Sequence, residues 1–564
     1  MQQPAPSIRS LFNRREWLIV SVIILVTLAV TAIPYLYAYR GAPDTMHFMG
    51  ITFNIPDHFQ YFSWLRESRD QFLVPNMLTP EPSAALLFNF LWWTLGRIQV
   101  LTGIPYDGLF QITRLLAGAF VMASIYFFCG VIFSNRAKRM TAFLVAVFGA
   151  GLGWLLVIEK ALRHLQDVNS PFAVYTAEPN TFFTVLAFPH FAIAAGLIVL
   201  IFSVVLLGQM RKSMRLAGLA AALSLLLGVQ HSYDMFIIYP VIGLYALFVW
   251  LRDRKFPLYL FKLGVVVVLV SMWPALQAFY ITQADAVWKG VLSQFDNAGA
   301  WTPAPWLLPI LMGLSWLLAI WALDIRTPFK NRDDKHLFIM AWFLSHFILV
   351  YIPLNFQIHL LSGWQIITGV LATIGLYTRV LPVLRKFLPK LDARRITQLA
   401  TAALVVAVIP TNLYILAWRF LDMRQAWQNY EGRTAENSYF ILTGEYDALQ
   451  FLNTTVTGDD VVLASLDIGQ FVPALTGARA FVAHWAQTLD FYGKRDMVSA
   501  FFNSATDDAE RQRILSEYHV TFVVYSPEEK RLGDYNPSVV SYLTEVYNAG
   551  DVQVFRVNLP ASGS

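Results

Sequence analysis

Trp17-Leu18-Ile19-Val20-Ser21-Val22-Ile23-Ile24-Leu25-Val26-Thr27-Leu28-Ala29-Val30-Thr31-Ala32-Ile33-Pro34-Tyr35-Leu36-Tyr37 is an uninterrupted stretch without a charged side chain. A bilayer core of ~30 Å takes about 20 helical residues to cross, and this run has that length. Arg14 and Arg15 stand just ahead of it, and Ala29 to Ala32 supply the small residues of a secretion signal. The apolar run continues past them, so it reads as an uncleaved first span. Similar runs recur along the chain. Of its 564 residues 56% are hydrophobic and 14% charged, more apolar side chain than one soluble core can use. The expected fold class is a polytopic α-helical membrane protein of about eleven transmembrane helices, followed by a C-terminal α/β domain.

The formal charge of +5 does not indicate nucleic acid, because it is unevenly spread. From Phe420 onward there are 19 Asp+Glu against 10 Lys+Arg, and before it 18 against 32. The basic excess sits in short loops such as Arg136 to Arg139, Arg211 to Arg215, Arg252 to Lys255 and Arg385 to Lys390, whereas His231 to Asp234 and Asn355 to Gly363 contain no Lys or Arg. Basic loops stay in the cytoplasm. This places the N-terminus inside, a long first loop over 39–107 outside, and the C-terminal domain outside a cytoplasmic (inner) membrane. Residues 1–418 form the membrane part and 419–564 the outer domain. In the latter, Val461 to Ala464, Ala480 to Ala483, Thr521 to Tyr525 and Val552 to Val557 predict strands, and Tyr446 to Leu452, Phe491 to Phe502 and Asp507 to Tyr518 predict helices, the alternation of a small α/β layer domain. Cys129, the one cysteine, excludes internal disulfides and cysteine-rich metal sites.

In the first outer loop, Asn54-Ile55-Pro56-Asp57-His58-Phe59-Gln60-Tyr61-Phe62-Ser63-Trp64-Leu65-Arg66 predicts a helix. Pro56 suits its first position, where the missing N–H costs nothing. Asp57 then falls in the first turn, where the positive helix end favours a carboxylate. Tyr61, Phe62, Trp64 and Leu65 make an apolar stripe opposite Arg66, Glu67, Arg69 and Asp70, as in a helix lying in a membrane surface. An ionised Asp57 beside His58 has the chemistry of a catalytic base or a cation ligand, and capping of a surface helix is its plainer use. A second apolar helix around Leu86 to Leu101 is expected to lie on the outer surface.

Ionisable groups are costly in spans, so their placement is informative. Glu178, His190 in Phe188-Pro189-His190-Phe191, His231 and Asp234, Gln357 and His359 all fall at the outer level, as one shared extracytoplasmic cavity requires. Each has a structural alternative: His190 can bond a carbonyl freed by Pro189, His231 and Asp234 can close a turn, and Glu178 can serve the turn at Pro179. No pair has His-x-x-x-His spacing, so a divalent metal is left open. In the outer domain, His484 and Trp485 of Ala483-His484-Trp485 are candidates to face inward.

The first span, an acid in a long outer loop with surface helices, and Leu109-Phe110-Gln111-Ile112-Thr113-Arg114 entering the second span together resemble the GT-C superfamily of polytopic glycosyltransferases. The layout is most similar to its protein O-mannosyltransferase and aminoarabinose transferase branches and to its many bacterial members. The resemblance implies inverting transfer of a sugar from a polyprenyl-phosphate donor to an extracytoplasmic glycan, lipid or protein acceptor, with Asp57 as base. It also implies contacts to the lipid phosphate. The stretch Asn355 to His359 has none of the arginines that relatives place there, which leaves Arg66, Arg69, Lys289 or the histidines for that task, or an altered donor site. The double acid of better-known members is here Asp57-His58. Rival classes are a transporter or flippase, whose acids would sit at mid-membrane depth, and a non-catalytic envelope-assembly scaffold. The topology has a direct test: an Asp57→Cys variant in a background lacking Cys129 reacts with an impermeant thiol reagent added outside, and reaction only from the cytosolic side reverses the assignment.

Overall fold

A computed structural model of the chain describes residues 13–294, 301–323, 329, 332–428 and 430–559. Two compact units emerge. The first comprises Met1–Ile33, Gln111–Leu276 and Gly299–Trp418, and the second Pro34–Phe110, Gln277–Ala298 and Arg419–Ser564. The first outer loop is thus grouped with the C-terminal domain.

Among the described residues, eight helices are long and apolar enough to cross a membrane, and a ninth span results if Ala393–Val408 and Pro410–Gln428, bent by 42°, count as one. The two others of the expected eleven are Met214–Gln230 and Asp334–Leu349, of 17 and 16 residues. At a rise of ~1.5 Å per residue they measure about 25 Å, short of a ~30 Å hydrocarbon core, so the count of eleven is not met by length. The chain is a multi-pass membrane protein. Its first unit packs around aromatic side chains, with the buried Trp342 edge-on to Phe202 at 4.7 Å and to Phe128 at 5.4 Å. Glu16, at the start of the first span, is buried yet satisfied: Arg139 donates to it at 3.2 Å and the Tyr126 hydroxyl at 2.6 Å.

The second unit contains both sheets. β1 (Met46–Phe48) pairs antiparallel with β2 (Phe440–Leu442). β3 (Val461–Leu463), β4 (Arg479–Ala480), β5 (Val520–Tyr525), β6 (Leu543–Ala549) and β7 (Val552–Val557) form a mixed sheet of order β4-β3-β5-β7-β6. β3 runs parallel to β4 and β5, and β7 antiparallel to β5 and β6. The four predicted strands and three predicted helices are present within a few residues of their expected bounds, so the α/β reading holds. β6 was not expected, and most of its residues are exposed at the sheet edge.

The helix that carries Asp57, Ile55–Glu67, does not lie in a membrane surface as its stripe suggested. It is an internal element of the second unit, with Ile55, Pro56, His58, Phe59, Gln60, Phe62, Ser63 and Leu65 buried. Phe59 meets Phe471 edge-on at 4.5 Å, and Tyr61 stacks on Trp92 at 4.9 Å. Trp92 belongs to the helix Phe90–Thr102, which at 13 residues is too short to span. Gly96 lets that helix approach closely, since a Cβ there would stand 2.5 Å from the Leu65 carbonyl oxygen.

A buried ion network ties the C-terminal segment together. Arg433 donates to Glu445 at 2.9 Å and also pairs with Glu528, all three being nearly inaccessible. Removing the cation takes an ion-pair partner from both carboxylates, Glu528 keeping Arg531, and breaking a buried pair typically costs ~3–5 kcal/mol. Arg433→Met is therefore expected to lower the thermal unfolding midpoint of the detergent-solubilised chain by several degrees, measured against the wild type at neutral pH.

Candidate active site

Asn54 sets up the Asp57 turn. It is the N-cap of the helix and has left-handed backbone angles, φ 50 and ψ 65, a conformation that short polar side chains tolerate better than most. Its amide Nδ2 donates to Asp57 Oδ2 at 2.5 Å, and its backbone oxygen accepts the Nδ1–H of His58 at 2.8 Å. His58 is fully buried, edge-on to Phe110. Its imidazole fixes the turn rather than facing solvent.

The second oxygen of Asp57 is held from the C-terminal segment. His484 Nε2 lies 2.8 Å from Asp57 Oδ1. The backbone N–H of Ala486 donates to His484 Nδ1 at 3.0 Å, so Nδ1 is the acceptor nitrogen and the ring proton sits on Nε2, pointing at the carboxylate. The loop is pinned by Thr488, whose hydroxyl oxygen accepts the N–H groups of Ala483 and His484 and whose proton goes to the Leu78 carbonyl at 2.6 Å. Asn76 donates to the Gln487 carbonyl at 2.8 Å, and Lys494 pairs with Glu81 at 2.7 Å. The segment 76–81 and the loop after β4 are therefore stitched together within one unit.

Burial opposes the charge on Asp57, but the hydrogen bonds from His484 and Asn54 and the two nearby imidazoles outweigh it and hold the carboxyl below its ordinary range. Its side chain keeps 31% exposure against 1% for His484, which leaves the anion open on one side. Glu436, on the turn Ala435–Asn437, keeps solvent access, yet the protein around it and then the Asp57 charge raise its carboxyl. Two carboxyls pushed in opposite directions are a common signature of acid–base sites.

In the first unit the remaining candidates form a group of their own. Glu178 accepts from His359 Nδ1 at 2.8 Å. Asp234, fully buried, accepts from His231 Nδ1 at 2.9 Å, and the Tyr233 hydroxyl bonds His231 Nε2. Tyr233 stacks on His359 with centroids 4.5 Å apart, and the His231 ring lies 5.8 Å from His190 and 6.5 Å from His359. Two expectations change. Arg66 spends its guanidinium on Leu475 O, Asn453 Oδ1 and Thr476 O at 2.7–3.1 Å, so it clamps the helix instead of offering itself to a phosphate. Gln357 is likewise consumed, donating to Ile352 O and accepting from the Thr302 N–H.

No family model and no curated protein matches the sequence. Solved structures do. The oligosaccharyltransferase AglB of Archaeoglobus fulgidus, in complex with an inhibitory peptide and a dolichol-phosphate, is 13% identical over 89% of this chain and 69% of that one, with a TM-score of 0.53. An A. fulgidus oligosaccharyltransferase complex with Zn and sulfate is 12% identical over 96% and 74%, with a TM-score of 0.54. ArnT from Cupriavidus metallidurans, bound to undecaprenyl phosphate, is 14% identical over 97% and 99%, with a TM-score of 0.50. The chain shares the fold of these structures.

The zinc complex raises the question of a metal here. Both oxygens of Asp57 already accept from N–H donors, and the nearest imidazole nitrogen carries the proton it donates. Among the described residues no group of three His, Cys, Asp or Glu is placed to hold a metal ion. Among the described residues, then, Asp57 belongs to no three-ligand group. Of the groups that matter, His484 was legible from its setting, whereas Asn54 and Glu436 were missed. An Asn directly before an Ile-Pro helix start was a usable signal for the former.

Asn54→Gly keeps the positive φ and loses only the side-chain donor, so it is expected to destabilise the chain by about 1 kcal/mol at neutral pH. Because that bond favours the ionised form, the gap in thermal midpoint is full above the ordinary carboxylate range and closes as pH falls through the depressed value of Asp57. A gap that persists unchanged into acid contradicts the assignment.

Proposed function

We propose that this chain is an integral-membrane glycosyltransferase that moves a sugar from a polyprenyl-phosphate donor to an extracytoplasmic glycan, lipid or protein acceptor, with inversion at the anomeric carbon. The observation that carries the reading is an ionised, partly open Asp57 in a chain with the fold of proteins that bind dolichol-phosphate and undecaprenyl phosphate. Asp57 takes the proton of the acceptor hydroxyl as its oxygen bonds to the anomeric carbon. The bond from that carbon to the phosphate oxygen breaks, and the electron pair leaves with the lipid phosphate. His58 serves by fixing Asn54 and so the turn. The likeness to two transferases favours this reading over a transporter or a scaffold.

We assign anion binding in the first unit to its histidine group. His359 is backed by Glu178 and His231 by Asp234, and His190 and Tyr233 complete the ring cluster. Both nitrogens of His231 are already bonded, so the donor to a phosphate oxygen is the Nε2–H of His359, which stabilises that oxygen as charge develops on it. In this reading the N-terminus is cytoplasmic. The loop 39–107 and the domain 419–564 face the external side of the inner membrane, and the transmembrane part lies within 1–418.

Asp57→Asn preserves volume and removes the base. Transfer from a polyprenyl-phosphate sugar is expected to fall at least a thousandfold while membrane insertion and yield stay normal, and wild-type turnover in that variant refutes the role. His359→Ala removes one phosphate donor and is expected to weaken retention of polyprenyl phosphate roughly tenfold, the scale of one charge-assisted hydrogen bond, read by native mass spectrometry of the purified protein. Equal lipid retention by wild type and variant removes the histidine group from the donor site.

A further inference from the structure

We propose that the C-terminal α/β domain takes a direct part in the chemistry through His484, a positioning residue that holds the Asp57 carboxylate ionised and aimed. The inference rests on the reading of Asp57 as the base. It assigns to the domain a function beyond covering a site.

Three observations converge. The first is direction: Nδ1 of His484 is occupied by the Ala486 N–H, so Nε2–H has a single orientation, toward Asp57 Oδ1 at 2.8 Å. The second is rigidity. The imidazole is 1% exposed, and its backbone is held by Thr488, which in turn donates to Leu78 of the first loop, so neither side of the contact swings freely. The third is access. The Asp57 side chain keeps 31% exposure, so the contact from His484 leaves one side of the carboxylate open to an acceptor. Among the described residues, the other ionisable groups that face Asp57 are His58, from its own helix, and Glu436, from the turn Ala435–Asn437, whose own carboxyl Asp57 raises. What the His484 donor offsets is the burial of the carboxylate. Each carboxylate oxygen retains a lone pair beyond its N–H partner, which is where the acceptor proton goes.

The test is an isotope-edited infrared titration of the full chain in detergent with 13C-labelled aspartate, the spectrum of Asp57→Asn being subtracted to isolate one band. His484→Ala is expected to raise the protonation midpoint of that band by about one on the pH scale, the size of a lost hydrogen bond to the charged form. His484→Gln, whose amide can donate to the same oxygen, restores it. The acid limb of transfer moves with the band in both variants. A band that titrates in His484→Ala as in the wild type overturns the proposal, even if activity falls, because a purely structural role lowers turnover evenly across pH. A band that moves while the acid limb of transfer stays in place instead refutes Asp57 as the base and leaves the grip of His484 standing.

Discussion

A carboxylate that has to stay ionised where water is scarce needs donors that carry no competing claim on its charge, and the grip of His484 and Asn54 on Asp57 meets that need. Much of the second unit serves this contact. Asn54 adopts a left-handed conformation to present its amide, and His58 is buried to hold Asn54. Arg66 locks the far end of the same helix to the carbonyls of Leu475 and Thr476, and Gly96 allows the neighbouring helix to close on its back. The loop that delivers His484 is short and pinned by one hydroxyl, that of Thr488, which accepts twice and donates once. A small error in any of these would move a 2.8 Å hydrogen bond out of range, and hydrogen bonds weaken steeply with distance and angle.

The same molecule shows how structural and functional charges differ. Glu16 with Arg139 and Arg433 with Glu445 and Glu528 are ion pairs in which the partners are closed off from solvent, and such pairs bring specificity more than stability. Asp57 and His359 are held as firmly on one side but keep 31% and 19% of their side-chain surface open. An anchored group with a free face can bind or move a proton, whereas a saturated one can only hold the fold.

The membrane class, the C-terminal α/β domain and the helix start that carries Asp57 were legible because each rests on a local signal: apolar run length, strand and turn chemistry, and a proline followed by an acid. Partnerships were not. The amphipathic stripe of Tyr61, Phe62, Trp64 and Leu65 suggested a lipid-facing helix, but the surface it covers is protein, Trp92 and its neighbours, and periodicity does not name the partner. Arg66 carried a charge that suited a phosphate, and only the tertiary fold revealed carbonyls waiting for it. His484 lies more than four hundred positions from Asp57, so no spacing rule connects them. The span count turns on length: composition marks an apolar segment, while helix ends and breaks, such as the bend before Pro410, set where it stops, and eight or nine of the described stretches are long enough to cross.

The histidines of the first unit give the proposed reaction a particular energetic shape. Guanidinium groups bring a fixed positive charge to a phosphate and bind it strongly both before and after transfer. Each pair here, His359 with Glu178 and His231 with Asp234, is neutral overall even when its imidazole is protonated, because the carboxylate balances it. Such a pair offers oriented N–H dipoles without net charge. Its attraction for a phosphodiester is modest, and it grows as the leaving oxygen gains charge, which is when stabilisation accelerates the reaction. Under the proposed assignment this chain trades tight hold of its lipid for easier release of the lipid phosphate after transfer. That trade suits a carrier lipid that must return to service.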